Sequence, residues 1–228
     1  MVDVSEAGTA EKPKELYRMW AENYFRVRAL TNFLFDMAQY KVIIEGELPK
    51  EGARLLIPPR QNSLDSLSLM KAIDEYISFV FKVHERPKLI ALWIMDPIGG
   101  VRATDEYVQF KKLAGHFDRE GLVVAFPQGK QQPTSVTSIK PGIAELVRIY
   151  EGRYGKQVTI VPTGVEYNYP GGLPKRAPVP IFNFPFPGTT ATVRFGEPKY
   201  LNGRNPRELT ELVMREVAAL SKLDYVAT

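Results

Sequence analysis

The sequence predicts an α/β protein: a central, mostly parallel or mixed sheet flanked by helices, with an amphipathic helix ahead of it. Three observations point there. Short apolar runs of strand length alternate with segments of helical period, the pattern that builds parallel sheets through crossover helices. The 228 residues are 44% apolar, enough for a buried core of ordinary size. No internal repeat is visible, which sets solenoids and propellers aside.

The elements follow in order. Residues 1–14 are polar and lack the basic start and apolar centre of a secretory signal. Leu16, Trp20, Tyr24, Val27, Leu30, Leu34 and Met37 then recur three or four apart, which is helical spacing. Lys14, Arg18, Glu22, Arg26 and Arg28 fall largely off that stripe. Two readings stay open for this helix: its apolar face packs on its own domain, or it lies on a lipid surface. Residues 1–39 are therefore read as a lead with an amphipathic helix, and 40–228 as the α/β domain.

Strands are expected at 42–45, 54–57, 77–82, 122–126, 158–162 and 191–195 from their β-branched and apolar runs. Helices are expected at 64–74, 88–95, 105–117, 142–151 and 206–220 from their period. Six prolines between Tyr167 and Thr190 preclude a central strand or helix interior there. That segment reads as a long loop, whose Ile181, Phe182, Phe184 and Phe186 either cover an apolar ligand chain or simply pack it down.

Composition narrows the chemistry. The chain has no cysteine, so disulfides, thiolate metal sites and cysteine nucleophiles are excluded. It has two histidines, so any imidazole chemistry uses His84 or His116. The net charge of +4 suits anionic lipid or phosphate ligands. A nucleic-acid module fits poorly, because there is no phosphate-cradling glycine loop and no basic tract interleaved with aromatics. No run approaches the ~20 apolar residues of a membrane span. A cytoplasmic protein is expected, free or peripheral on the inner face of the membrane.

In α/β sheets ligands gather at the carboxyl ends of strands, and those ends are distinctive here. The strand ending at Ile57 runs into Pro58-Pro59-Arg60-Gln61-Asn62-Ser63-Leu64-Asp65, and the one ending at Phe126 into Pro127-Gln128-Gly129-Lys130. Ile98-Gly99-Gly100-Val101-Arg102 lies between them, and Val161-Pro162 follows. In order and separation these resemble the glycerolipid acyltransferase family, which includes the lysophosphatidate acyltransferases. The family carries an N-H-x4-D block, a G-x-x-x-x-R-type block, an F-P-E-G block and a V-P block. Ile139-Lys140-Pro141-Gly142 and the run Val193 to Pro198 extend the likeness, which covers roughly residues 40–201.

The resemblance implies that fold and a reaction. An acyl group passes from acyl-coenzyme A or acyl carrier protein to a hydroxyl of a lysophospholipid or glycerol phosphate, with no bound cofactor and no metal. It implies a histidine base oriented by an aspartate. Aligning Asp65 with that aspartate puts Arg60 at the histidine position. Sliding by one puts Gln61 there and Ser66 at the aspartate. Neither arginine nor glutamine accepts a proton at working pH. Gln128 stands where the family has glutamate. The reading is thus an acyltransferase relative with reduced or lost activity, or an inactive lipid-binding or scaffold relative.

Asp65, Arg60, Gln61 and Gln128 are the candidate catalytic residues, with His84 as a displaced base. Arg60 and Asp65 are expected to form a charge pair that lowers the Asp65 pKa, and Asn62, Ser63 and Asp65 double as helix caps. Arg102, Gly129 and Lys130 are assigned by resemblance to a substrate phosphate, with Pro127, Lys82 and Pro162 around them and Lys140 completing the basic set.

Overall fold

A computed structural model describes residues 12–62, 64–82, 96–103, 108–128, 132, 134–137, 142–170 and 187–226. Along the chain lie α1 (Lys12–Met37), β1 (Lys41–Glu45), β2 (Ala53–Ile57), α2 (Leu64–Ala72), β3 (Ile77–Lys82), β4 (Val101–Ala103) and α3 (Phe110–Asp118). β5 (Leu122–Ala125), β6 (Ser135–Thr137), α4 (Gly142–Tyr154), β7 (Val158–Asn168), β8 (Thr190–Phe195), α5 (Pro206–Ser221) and β9 (Asp224–Val226) follow.

Seven strands form one sheet in the order β1-β8-β7-β2-β5-β3-β4, and β6 pairs with β9 in a small second sheet. Every neighbour pair in the large sheet is parallel except β7 with β8. The sheet is mixed, and helices flank it. Strand β2 is buried along its whole length, as expected of a strand covered on both faces. Consecutive residues serve opposite cores. Leu55, Val123 and Ile160 pack with α3, α4 and α5, while Leu56, Val124 and Val161 pack with α1 and α2.

Within the described residues the expected strands and helices are present, with changed bounds, and β4, β6 and β9 are added to them. The described third helix begins at Phe110, not 105, because Val108 bridges back to Ala103 and the Gln109 amide donates to the Arg102 carbonyl at 3.1 Å. The helix expected at 88–95 lies outside the described residues, as do 171–186 of the proline-rich segment. β7 continues past Pro162 to Asn168. Its first half, through Pro162, pairs with β2, and its second half, from Thr163, pairs with β8.

α1 carries two apolar faces. Trp20, Tyr24, Val27 and Phe35 turn inward to the core, but Leu16, Met19, Leu30, Phe33 and Met37 are exposed. The stripe read from the sequence merged residues of both faces.

α5 begins with Asn205, whose side-chain oxygen accepts the Arg207 amide at 2.9 Å, followed by Pro206 in the first turn. Such a cap satisfies one of the free amides of the helix start. At its other end Ser221 Oγ accepts the Val165 amide at 3.1 Å. This crossing requires a glycine beside Val165, since a Cβ on Gly164 would stand 2.5 Å from the Leu220 Cβ. Gly164→Ala is therefore expected to cost about 1–3 kcal/mol through overpacking. A urea midpoint equal to that of the wild type would show that the helix shifts freely.

Candidate active site

Strand β2 ends at Ile57, and Pro58 and Pro59 carry the chain over its carboxyl end to Arg60. Here a buried carboxyl group organises the turn. Asp65 is 1% exposed. Its Oδ2 accepts the amides of Gln61 at 2.7 Å and Asn62 at 2.9 Å, and its Oδ1 accepts the Tyr167 hydroxyl at 2.7 Å. Asn62 does the capping: its Oδ1 accepts the Leu64 amide at 2.7 Å, and its Nδ2 donates to the Tyr169 hydroxyl at 3.2 Å.

The expected Arg60–Asp65 ion pair is not formed among the described residues. Backbone amides of the same turn lie closer to the carboxylate than a long side chain does, and they need no rotamer ordering to reach it. The expected direction of the Asp65 pKa is also reversed. Burial pushes it up to about 7, against the lowering by its three donors and by the Arg60 charge, because removing a carboxylate from water outweighs those contacts.

Behind Asp65 lies a chain of hydroxyls that sequence reading missed. Tyr167 stands 3.5 Å from Ser68 Oγ, and Ser68 is 2.7 Å from the Tyr40 hydroxyl and donates to the Leu64 carbonyl at 2.9 Å. Burial raises the proton affinity of Tyr40 and Tyr167 well above the usual range, and that of Tyr169 to about 12. These phenols stay protonated. A trace existed in the sequence: Val165, Tyr167 and Tyr169 alternate after Val161-Pro162, and Asp65 and Ser68 are three apart, hence on one helical face.

Gln61 is buried as well, and its Nε2 donates to the Val165 carbonyl of β7. Gln128 holds the other side of the turn. Its Oε1 accepts the Arg60 amide at 2.6 Å, and its Nε2 donates to the Ser135 carbonyl at 3.3 Å. The Arg60 carbonyl accepts the Gln132 amide at 2.7 Å, and the Arg60 guanidinium carbon lies 5.9 Å from the Phe126 ring centre. Arg60, Gln61, Asp65 and Gln128 thus converge around the carboxyl ends of β2 and β5. Pro127 stands two residues beyond the end of β5, and Pro162 lies level with Ile57 in the β2–β7 ladder.

Arg102 does not join them. It sits on β4, separated from β2 by β5 and β3, and its guanidinium is held by both oxygens of Asp96. Lys82 closes β3 beside Ala103. Gly129, Lys130, Lys140 and His84 lie outside the described residues.

His116 is at the wrong edge of the sheet for chemistry with Asp65. Its carbonyl accepts the Gly121 amide just before β5, and its Nε2 lies 3.0 Å from Ser78 Oγ near the start of β3 and 3.1 Å from the Gly99 carbonyl. Rings of Tyr17, Trp20 and Tyr76 enclose it. Burial brings its pKa down to about 4. It is a neutral core residue, separated from the carboxyl edge by the strand length, about 15 Å.

No protein-family model matches the chain, and no curated protein matches it. Among solved structures it is similar to the crystal structure of the 1-acyl-sn-glycerophosphate acyltransferase PlsC from Thermotoga maritima. The match has 15% identity and a TM-score of 0.57, over 93% of this chain and 83% of that one. The likeness is one of fold: an α/β sheet flanked by helices, as in that acyltransferase.

The Asp65 environment predicts a pH signature. Its folded pKa of about 7 lies above the ordinary 3.8, so its ionisation is harder in the folded state. Its contribution is intact below about pH 4 and is lost as pH rises through 7. Asp65→Asn removes this dependence. The variant should gain on the wild type between pH 4 and pH 8, by up to about 4 kcal/mol. Denaturant unfolding across that range checks it, and a constant difference would show that Asp65 ionises normally.

Proposed function

We propose that this chain uses an acyltransferase scaffold to hold a glycerolipid or lysophospholipid, with acyl transfer slow or lost. In such a transfer the acceptor hydroxyl oxygen bonds to the thioester carbon and the carbon–sulfur bond breaks. The proton leaves the hydroxyl through a base and ends on the departing thiol. The observation that supports a missing base is the use of Asp65 within the turn and its β7 wall. Both of its oxygens accept from the Gln61 and Asn62 amides and from Tyr167, and neither Arg60 nor Gln61 can take the proton. His116 lies at the opposite edge of the sheet. The acyl donor would be acyl-coenzyme A or acyl carrier protein.

The same reading places the protein peripherally on a membrane, at the cytoplasmic face. No described helix is long and apolar enough to cross one. The outward stripe of α1 supports surface contact: Leu30 and Phe33 are 59% and 61% exposed, and Arg26 falls within the same exposed stripe. An exposed apolar helical face of this kind suits the boundary of a lipid surface.

Two outcomes are expected. Supplied with lysophosphatidate and acyl-coenzyme A, the protein should turn over about 100 to 10,000-fold more slowly than an acyltransferase with the histidine, the usual contribution of a positioned base. Turnover at ordinary rates would overturn the missing-base reading. The protein should also float with phosphatidylglycerol vesicles, and Leu30→Glu with Phe33→Glu should abolish flotation without lowering the unfolding temperature. Flotation of the double variant would remove α1 from the contact.

A further inference from the structure

We infer that Arg60 is an oxyanion anchor, binding a phosphate group at the carboxyl ends of β2 and β5. Five other described arginines are wholly or partly buried. Arg54 makes a two-pronged contact with Glu75 at 2.8 Å, Arg28 reaches Asp74 and the Met70 carbonyl, Arg102 is held by Asp96, and Arg194 meets Glu45 and Glu166. Each of these four ends on a carboxylate, and the fifth, Arg119, donates to the Gly115 carbonyl at 2.6 Å. Arg60 does neither. Among the described residues no oxygen accepts from its guanidinium, although the side chain is half-buried over Phe126.

An unpaired guanidinium withdrawn from water is costly, and it stays charged at any working pH. The nearby Asp65 carboxylate does not pair with it, and directs its oxygens to the turn amides and to Tyr167. Nor is Arg60 free to swing its backbone away. Gln128 Oε1 holds its amide and the Gln132 amide holds its carbonyl. What results is a half-buried fork of donors with no acceptor among the described residues, at the carboxyl ends of parallel strands, where ligands gather. A tetrahedral phosphate offers paired oxygens that match such a fork.

The phosphate has two sources with the same chemistry, a lipid headgroup or free phosphate. The lipid source rests on the function proposed above, while the anion site itself does not. In either case a charge holder stands at one of the two positions, Arg60 or Gln61, at which the family resemblance implies a proton acceptor.

The test measures binding of inorganic phosphate, lysophosphatidate in micelles and the phosphate-free monoacylglycerol by calorimetry, with wild type and Arg60→Gln. Phosphate-bearing ligands should bind the wild type and weaken at least tenfold in the variant. Lysophosphatidate binding without inorganic phosphate binding identifies the headgroup as the source, and comparable binding of the two identifies free phosphate. Equal affinities for lysophosphatidate and monoacylglycerol, no binding of any phosphate, or an unchanged Arg60→Gln affinity overturns the anchor. The first and third of these leave the glycerolipid reading standing. Phosphate binding that depends on Arg60 with no lipid binding at all does the reverse. Should Arg60→Gln fail to fold, phenylglyoxal labelling of the wild type decides: phosphate protects Arg60 from modification, or the anchor is wrong.

Discussion

The arrangement at the sheet's carboxyl edge depends on one buried carboxyl group. Asp65 joins the turn after β2, the start of α2 and the far half of β7 through three hydrogen bonds, two to amides and one to Tyr167. Opposed effects act on its proton: burial favours the neutral acid, and the donors favour the carboxylate. The hydroxyl chain behind it accommodates both forms. With Asp65 ionised, Tyr167 donates to it. With Asp65 protonated, the acid can donate to Tyr167, which turns its own hydroxyl toward Ser68. Ser68 still has its donation to the Leu64 carbonyl, and its oxygen can accept from both tyrosines. No member is left orphaned in either state. A buried polar cluster is tolerated under that condition.

That carboxyl group finds Tyr167 only because β7 overshoots. β2 ends level with Pro162, and β7 runs on to Asn168, about 20 Å of extra strand. The overshoot is paired on one side by β8, running antiparallel. On it sit the acceptor for Gln61, the donor for Asp65 and the hydroxyl for Asn62, at Val165, Tyr167 and just beyond at Tyr169. Gly164 and Ser221 bring the end of α5 against the same stretch. The wall of the site is therefore fixed by helix packing some fifty residues later in the chain.

These long-range links explain what the sequence disclosed and what it withheld. Strand positions and the βα alternation were legible, because both depend on local period and on apolar runs such as Leu55-Leu56-Ile57 and Leu122-Val123-Val124. The convergence of Arg60, Gln61, Asp65 and Gln128 was legible through motif order. Tyr167 was not, since it meets Asp65 across 102 positions and no spacing rule reaches that far. The Arg60–Asp65 pair was misread because separation of five residues shows proximity and says nothing of which donors arrive first. On α1, residues spaced three or four apart fit two opposite apolar faces equally. Leu16, Leu30 and Met37 were grouped with Trp20 and Tyr24 although they face solvent. Pro162 suggested a strand end, and it does end one ladder, but the strand exchanges that partner for another.

The separation of scaffold from chemistry follows from where the contacts fall. The turn after β2 is held by the backbone amides of Arg60, Gln61 and Asn62, by Gln128 and by Asp65. None of these contacts uses the side chain of residue 60. That side chain can therefore vary while the turn, α2 and the β7 wall keep their places. The one described histidine is likewise tied to the opposite edge, enclosed by Tyr17, Trp20 and Tyr76, where it serves the core that seats α1. The walls of the site can thus persist whatever side chain residue 60 carries, since the interactions that build them are independent of it.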